Sequence, residues 1–168
     1  RSATLPPASR TNAFLLGDAD APKLLVDPSP NSAEEYQRLL NTIDHKKLDA
    51  IFLTHHHPDH HQFSNQLARQ LKLPIILSED TQQRLTLKNG DDYFEQVELR
   101  NVVENEEVTR WHGSAVRVYE IPGHDAGHLG LAPDTLSWFI VGDLIQGIGT
   151  VVIPSPEGDM ATYFKTLE

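Results

Sequence analysis

The chain has 168 residues, 39% of them hydrophobic and 23% charged, a balance that excludes intrinsic disorder and suits one soluble domain with its own core. Acidic residues outnumber Lys and Arg by 24 to 14, and the resulting net charge of −10 repels nucleic acid and anionic membrane unless bound cations reverse the field locally. There is no cysteine, which excludes disulfides and thiolate metal sites, and no apolar run approaches the roughly 20 residues of a membrane helix. No membrane partner is expected, and the expected location is cytoplasmic.

Residues 1–10, RSATLPPASR, are rich in Pro and Ser and read as a linker without the apolar core of a signal peptide. Residues 11–168 read as a single domain. TNAFLLGD and APKLLVDPS predict two strands about a turn at Gly17 to Asp20. SAEEYQRLLNTIDH predicts an amphipathic helix: Ser32 stands three residues before Glu35, a capping-box spacing, and Tyr36, Leu39, Leu40 and Ile43 share a face. LDAIFLT is short and apolar and predicts a buried strand. HQFSNQLARQLKL predicts a helix with Phe63, Leu67 and Leu71 at four-residue steps, and PIILS another buried strand. Strands alternating with helices place the chain in the α/β class. EDTQQRL predicts a short helix. DDYFEQVELRNVVENEEV is polar and predicts a peripheral flap or hairpin. AVRVYEI, HLGLAP and LSWFIVGD predict strands, and GDMATYFKTLE a helix still in progress at the last residue. The chain is therefore expected to be part of a longer one.

The chemistry gathers in LTHHHPDHHQ, 53–62, which holds five histidines in seven positions. The cluster is internal and follows a predicted buried strand, so it is not a tag. Strand ends are where α/β proteins place their sites. In extended chain residues two apart project to the same side, so His55 and His57 can grip one cation while His56 points away. Pro58 suits the first turn of a helix, with Asp59 and His60 directed back to the same space. His61 reads as a surface residue on that helix. IPGHDAGHLG puts His124 after a strand at a Gly-permitted bend, and WFIVGDLI ends a strand at Asp143.

THHHPDH, PGHDAGH and FIVGD resemble, in order and spacing, successive motifs of the metallo-β-lactamase-fold hydrolases, and the resemblance runs from about residue 11. VGDLIQGIGTVV followed by GDMATYFKTLE is most similar to the lactamase-beta-like branch. The resemblance implies an αββα sandwich, incomplete at its C-terminal end. It implies His55, His57 and His124 as ligands of a first metal, Asp59 and His60 as ligands of a second, and Asp143 as the bridge. The family's further second-metal histidine has no counterpart, because no histidine follows His128, so weak second-site binding is expected. His128 is expected to be a structural hydrogen-bonder near the site. Asp27, in VDPSP, is expected to orient a ligand histidine, with a plain turn-forming carboxylate as the alternative.

The implied activity is metal-dependent hydrolysis by a metal-bound hydroxide, with Asp59 as the catalytic carboxylate that orients the nucleophile. Zinc, one or two ions, is the default, and manganese or iron suit the same ligands. An ester, thioester or phosphodiester, in a small molecule or RNA, fits this chemistry. The resemblance slightly favours an RNA phosphodiester. The alternatives are a glyoxalase-II-like thioesterase and a non-catalytic binding or regulatory module. Oligomeric state is not legible.

Overall fold

The computed structural model describes residues 2–44 and 47–168. Its first sheet runs β1 (Phe14–Leu16), β2 (Leu24–Val26), β3 (Ala50–Phe52), β4 (Ile75–Leu77) and β5 (Leu99–Asn101), in that spatial order. β1 is antiparallel to β2, and β2 through β5 are parallel. β6 (Glu107–Trp111), β7 (Ser114–Glu120) and β8 (Leu129–Pro133) form an antiparallel second sheet. The helices are α1 (Ala33–Thr42), α2 (Pro58–His61), α3 (Ser64–Leu71), α4 (Glu79–Asn89) and α5 (Met160–Thr166).

Period-two alternation along the central strands divides the core into two layers. Leu24, Val26, Ala50, Phe52 and Ile76 face the second sheet, where they meet Val116, Val118, Leu129 and Leu131. Leu25, Ile51, Leu53, Ile75 and Leu77 face the helices, where they meet Tyr36 of α1, Leu67 of α3 and Leu85 of α4. The result is a helix–sheet–sheet sandwich. α5 has no buried residue, so the second helix layer of an αββα sandwich is not built among the described residues. None of the described helices is long and apolar enough to cross a membrane.

Local sequence explains the helix starts. The Ser32 hydroxyl accepts from the Glu35 amide at 3.2 Å, and the Ser78 hydroxyl from the Thr81 amide at 3.1 Å. α4 runs on to Asn89, beyond the short helix expected, and stops where Gly90 takes φ +103°. Two expectations are corrected. The polar stretch after α4 is not a simple flap, because its Leu99–Asn101 pairs with β4 as the edge strand β5. Only Leu99 of the three is partly buried, so the stretch carries little apolar signal. LSWFIVGD forms no strand: Ile140 alone pairs, as a single bridge to Leu131, before the chain turns toward the site.

Candidate metal centre

Because β2, β3 and β4 run parallel, the segments that follow them emerge at one edge of the first sheet. Asp27 follows β2 and takes φ +48°, a left-handed conformation that Asp tolerates. Its Oδ1 accepts from the Thr54 amide at 2.8 Å and its Oδ2 from the Thr54 hydroxyl at 2.7 Å. The carboxylate thus clamps the chain just as it leaves β3. His55, His56 and His57 follow, and Pro58 opens α2 at its first position. The Thr54 carbonyl accepts from the Leu129 amide at 2.8 Å, which ties this edge to β8 and to the loop carrying His124.

The three histidines expected at a first metal converge. His57 Nδ1 lies 3.1 Å from His55 Nε2 and 2.9 Å from His124 Nε2. His56 points elsewhere, with its Nδ1 2.5 Å from Asp125 Oδ2. A second grouping joins His55, His60 and Asp143, whose ligand atoms lie within 4.8 Å of one another. Asp143 spans both groups: Oδ1 is 3.2 Å from His60 Nε2, and Oδ2 is 3.7 Å from His124 Nε2. Asp59 stands at the rim. Its Oδ2 is 3.7 Å from His60 Nε2 and accepts from the Thr11 hydroxyl at 2.9 Å.

This donor set fits a divalent cation. Burial, followed by the neighbouring imidazoles, holds His55 well below the usual histidine pKa, and burial and His124 lower His57. Neutral imidazoles are the form that binds metal. Burial also pulls His60 down, but the charge of Asp27 and the contacts with Asp143 and Asp27 outweigh it and push it up to about 10. Burial raises Asp143, yet its contacts with His60 bring it down to about 2. His60 Nε2 is buried without an aligned hydrogen bond among the described residues. A site that draws a proton so strongly to that nitrogen offers the same lone pair and the same negative field to a cation.

Two expectations about flanking histidines are corrected. His61 is buried, at 7% exposure. α2 is a single turn covered by the coil around Tyr93, whose hydroxyl lies 3.1 Å from His61 Nδ1. A reading of helix polarity cannot see a coil that folds back from 32 residues away. His128 is not a hydrogen-bonder: neither ring nitrogen has a partner among the described residues. Its ring packs at 4.6 Å from that of His55 and abuts Gly142, where an added Cβ would stand 2.3 Å from Nε2. Asp27 does meet a site histidine, at 2.8 Å from His60 Nδ1.

Thr11 and Glu157 escaped the sequence reading. Each meets a site residue across 48 and 100 positions, and neither carries a local motif. A cleft of about 750 Å³ opens beside the histidines, partly walled by residues 3–8. Its apolar lining includes Leu5, Phe14, Phe139, Ile145, Ile148 and Val152. Arg10 is its one Lys or Arg among the described residues, against the carboxylates of Asp27, Asp59, Asp143 and Glu157.

The model of the metallo-beta-lactamase superfamily matches residues 6–167, and the chain belongs to that superfamily. It is similar to a hydroxyacylglutathione hydrolase of Wigglesworthia glossinidia brevipalpis, 31% identical over 81% of this chain and 47% of that protein. It is also similar to a beta-lactamase-like protein 2 homolog of Caenorhabditis elegans, 27% identical over 94% of this chain and 50% of the relative. The chain thus spans about half the length of these curated relatives. Among solved structures, TTHA1623 in a di-iron-bound form superposes with a TM-score of 0.71 at 24% identity, over 99% of this chain and 83% of that one.

Proposed function

We propose that this chain carries the metal-binding half of a hydrolase acting on an ester or thioester with an apolar acyl group. The observation that carries the proposal is the convergence of three imidazoles, those of His55 and His124 buried and that of His57 partly so, with Asp143 reaching from them to His60. His55, His57 and His124 would hold a first cation, and His60, Asp143 and Asp59 a second. A divalent cation so held supplies Lewis acidity and lowers the pKa of water from about 15.7 toward about 7. Zinc is the default for this His-rich set, manganese and iron suit the same ligands, and a structural neighbour described in a di-iron-bound form supports iron as the alternative.

The chain's own residues supply the rest. Asp59 stands at the rim with one carboxylate oxygen held by Thr11, placed to orient an attacking water and take its proton. Asp27 holds His60 from behind. The apolar cleft wall supports an acyl substrate and displaces water around it. The same cleft, with one basic residue against four carboxylates, lacks the cations that draw a phosphodiester backbone. The hydroxyacylglutathione hydrolase relatives lend further support to a thioester over RNA.

The test is hydrolysis of a panel of acyl thioesters and esters beside single-stranded RNA at matched salt, with the full-length parent loaded with zinc. Thioester or ester turnover is expected, and Asp59→Asn should lower it by orders of magnitude while leaving the first-site zinc in place. RNA cleavage without acyl turnover would overturn the substrate assignment, and turnover of neither would favour a binding module.

A further inference from the structure

The coil between Asp143 and α5 closes on the first-site histidines from behind. Val152 presents its carbonyl oxygen 2.6 Å from His124 Nδ1. Glu157 reaches two rings at once: Oε2 lies 3.4 Å from His57 Nε2, and Oε1 lies 3.5 Å from His56 Nε2. We propose that Glu157 is a positioning residue, the acceptor that sets the ring orientation and tautomer of His57 for metal binding. The proposal rests on the reading of His55, His57 and His124 as a metal site.

The argument begins with the imidazole. A neutral ring carries one N–H and one lone pair, so the nitrogen that binds metal leaves its proton on the other, and that N–H needs an acceptor. The other site histidines each have one close behind them. His55 Nδ1 has the Thr54 hydroxyl at 3.0 Å, itself held by Asp27. His124 Nδ1 has the Val152 carbonyl, and His60 Nδ1 has Asp27 at 2.8 Å. His57 is reversed. It turns Nδ1 toward its partners and leaves Nε2 on the outside. Glu157 is the acceptor that this outward nitrogen meets among the described residues.

The backbone that carries the carboxylate is held in place. The Ala126 amide donates to the Glu157 carbonyl at 3.1 Å, and the Asp159 amide to the Gly123 carbonyl at 2.9 Å. An added Cβ on Gly158 would lie 2.6 Å from the carbonyl oxygens of Gly123 and His124, so the backbone after Glu157 presses against the loop bearing His124. On the far side His56 connects Glu157 to Asp125, which is fully buried. Asp125, His56, Glu157 and His57 therefore form a chain of close contacts ending at His57 Nε2, the nitrogen opposite the one that faces the first site. It gives His56, which lies outside the His55–His57–His124 and His55–His60–Asp143 groups, a reason to be buried.

The test uses the full chain in three forms: wild type, Glu157→Met, which keeps length without an acceptor, and Glu157→Gln, which keeps a carbonyl. Zinc affinity is measured by competition with a chromophoric chelator, and the melting temperature is measured without metal. Loss of one such outer acceptor typically weakens metal binding by about 10–100-fold. Glu157→Met should lose affinity in that range with its metal-free melting temperature unchanged, and Glu157→Gln should recover most of the loss. In zinc-loaded wild type, nitrogen–proton correlation spectra should place the His57 proton on Nε2. Equal zinc affinity in Glu157→Met and wild type, a Gln variant no better than Met, or the wild-type proton on Nδ1 would each overturn the proposal. A wild-type chain that binds no zinc would overturn the metal site itself, and this proposal with it.

Discussion

His60 sits between two carboxylates, and His61, the next residue, sits against a phenol. That difference sets their opposite electrostatics. At His60 burial lowers the pKa, and the charges of Asp27 and Asp143 outweigh it and raise it. At His61, burial first, then the positive charge of Lys88, brings the pKa down to about 4 from 6.5. Nε2 of His61 has no hydrogen-bond partner among the described residues. Because the folded pKa lies below the unfolded one, acid protonates the unfolded chain first. Stability conferred by neutral His61 is therefore complete above about pH 6.5 and is lost as pH falls toward 4. Each unit of that shift corresponds to about 1.4 kcal/mol. His61→Leu should flatten the fall in stability between pH 6.5 and 4, read by urea unfolding at a series of pH values. An unchanged slope would show that His61 takes up its proton equally in the folded and unfolded chains. In the cluster His55 to His61, the turning of His55 and His57 to one side and of His56 to the other was legible in the sequence, but the burial of His61 was decided by Tyr93, from another segment.

At the scale of elements, helices with a clear apolar face were legible. Tyr36, Leu39, Leu40 and Ile43 of α1 and its flank do pack together against the first sheet. β5 was not legible, because an edge strand needs only a neighbour with open hydrogen bonds, and β4 supplies one to a segment of mostly exposed residues. The failure of LSWFIVGD to form a strand has a related cause. After Ile140 the chain turns through Gly142 at φ +49° to deliver Asp143 to the site, so pairing with β8 stops. α5 is attached through a close approach of the same kind. Gly123 takes φ +134°, and an added Cβ would lie 2.3 Å from Tyr163 Cα. Gly123→Ala should therefore cost roughly 1–3 kcal/mol in backbone strain alone and loosen α5 from the loop bearing His124. Limited proteolysis should then cut near Tyr163 sooner than in wild type; an unchanged rate would mean that α5 does not depend on this contact.

For the whole molecule, the net charge of −10 and the gathering of Asp27, Asp59, Asp143 and Glu157 at one cleft make bound cations a stabilising influence. A ligand at a thousand times its dissociation constant stabilises the folded state by about 4 kcal/mol. For a chain of this size each kcal/mol raises the melting temperature by about 2–4 °C. Zinc at that excess should raise it by roughly 8–16 °C, and a chelator should reverse the shift. No shift in scanning calorimetry would contradict a tight site.

The sequence by itself determined the α/β class, the strand that ends at the histidines, and the pairing of His55 with His57, because these follow from side-chain direction over two to four residues. It also carried the order of motifs that identifies the superfamily. Only the tertiary structure decided that Thr11 holds Asp59, that Glu157 stands behind His57, and that His61 and His128 are buried without serving the roles their neighbours suggest. Those contacts join residues far apart in the chain. They depend on how the two sheets stack and on where the coils after β8 and Asp143 return, which no local spacing records.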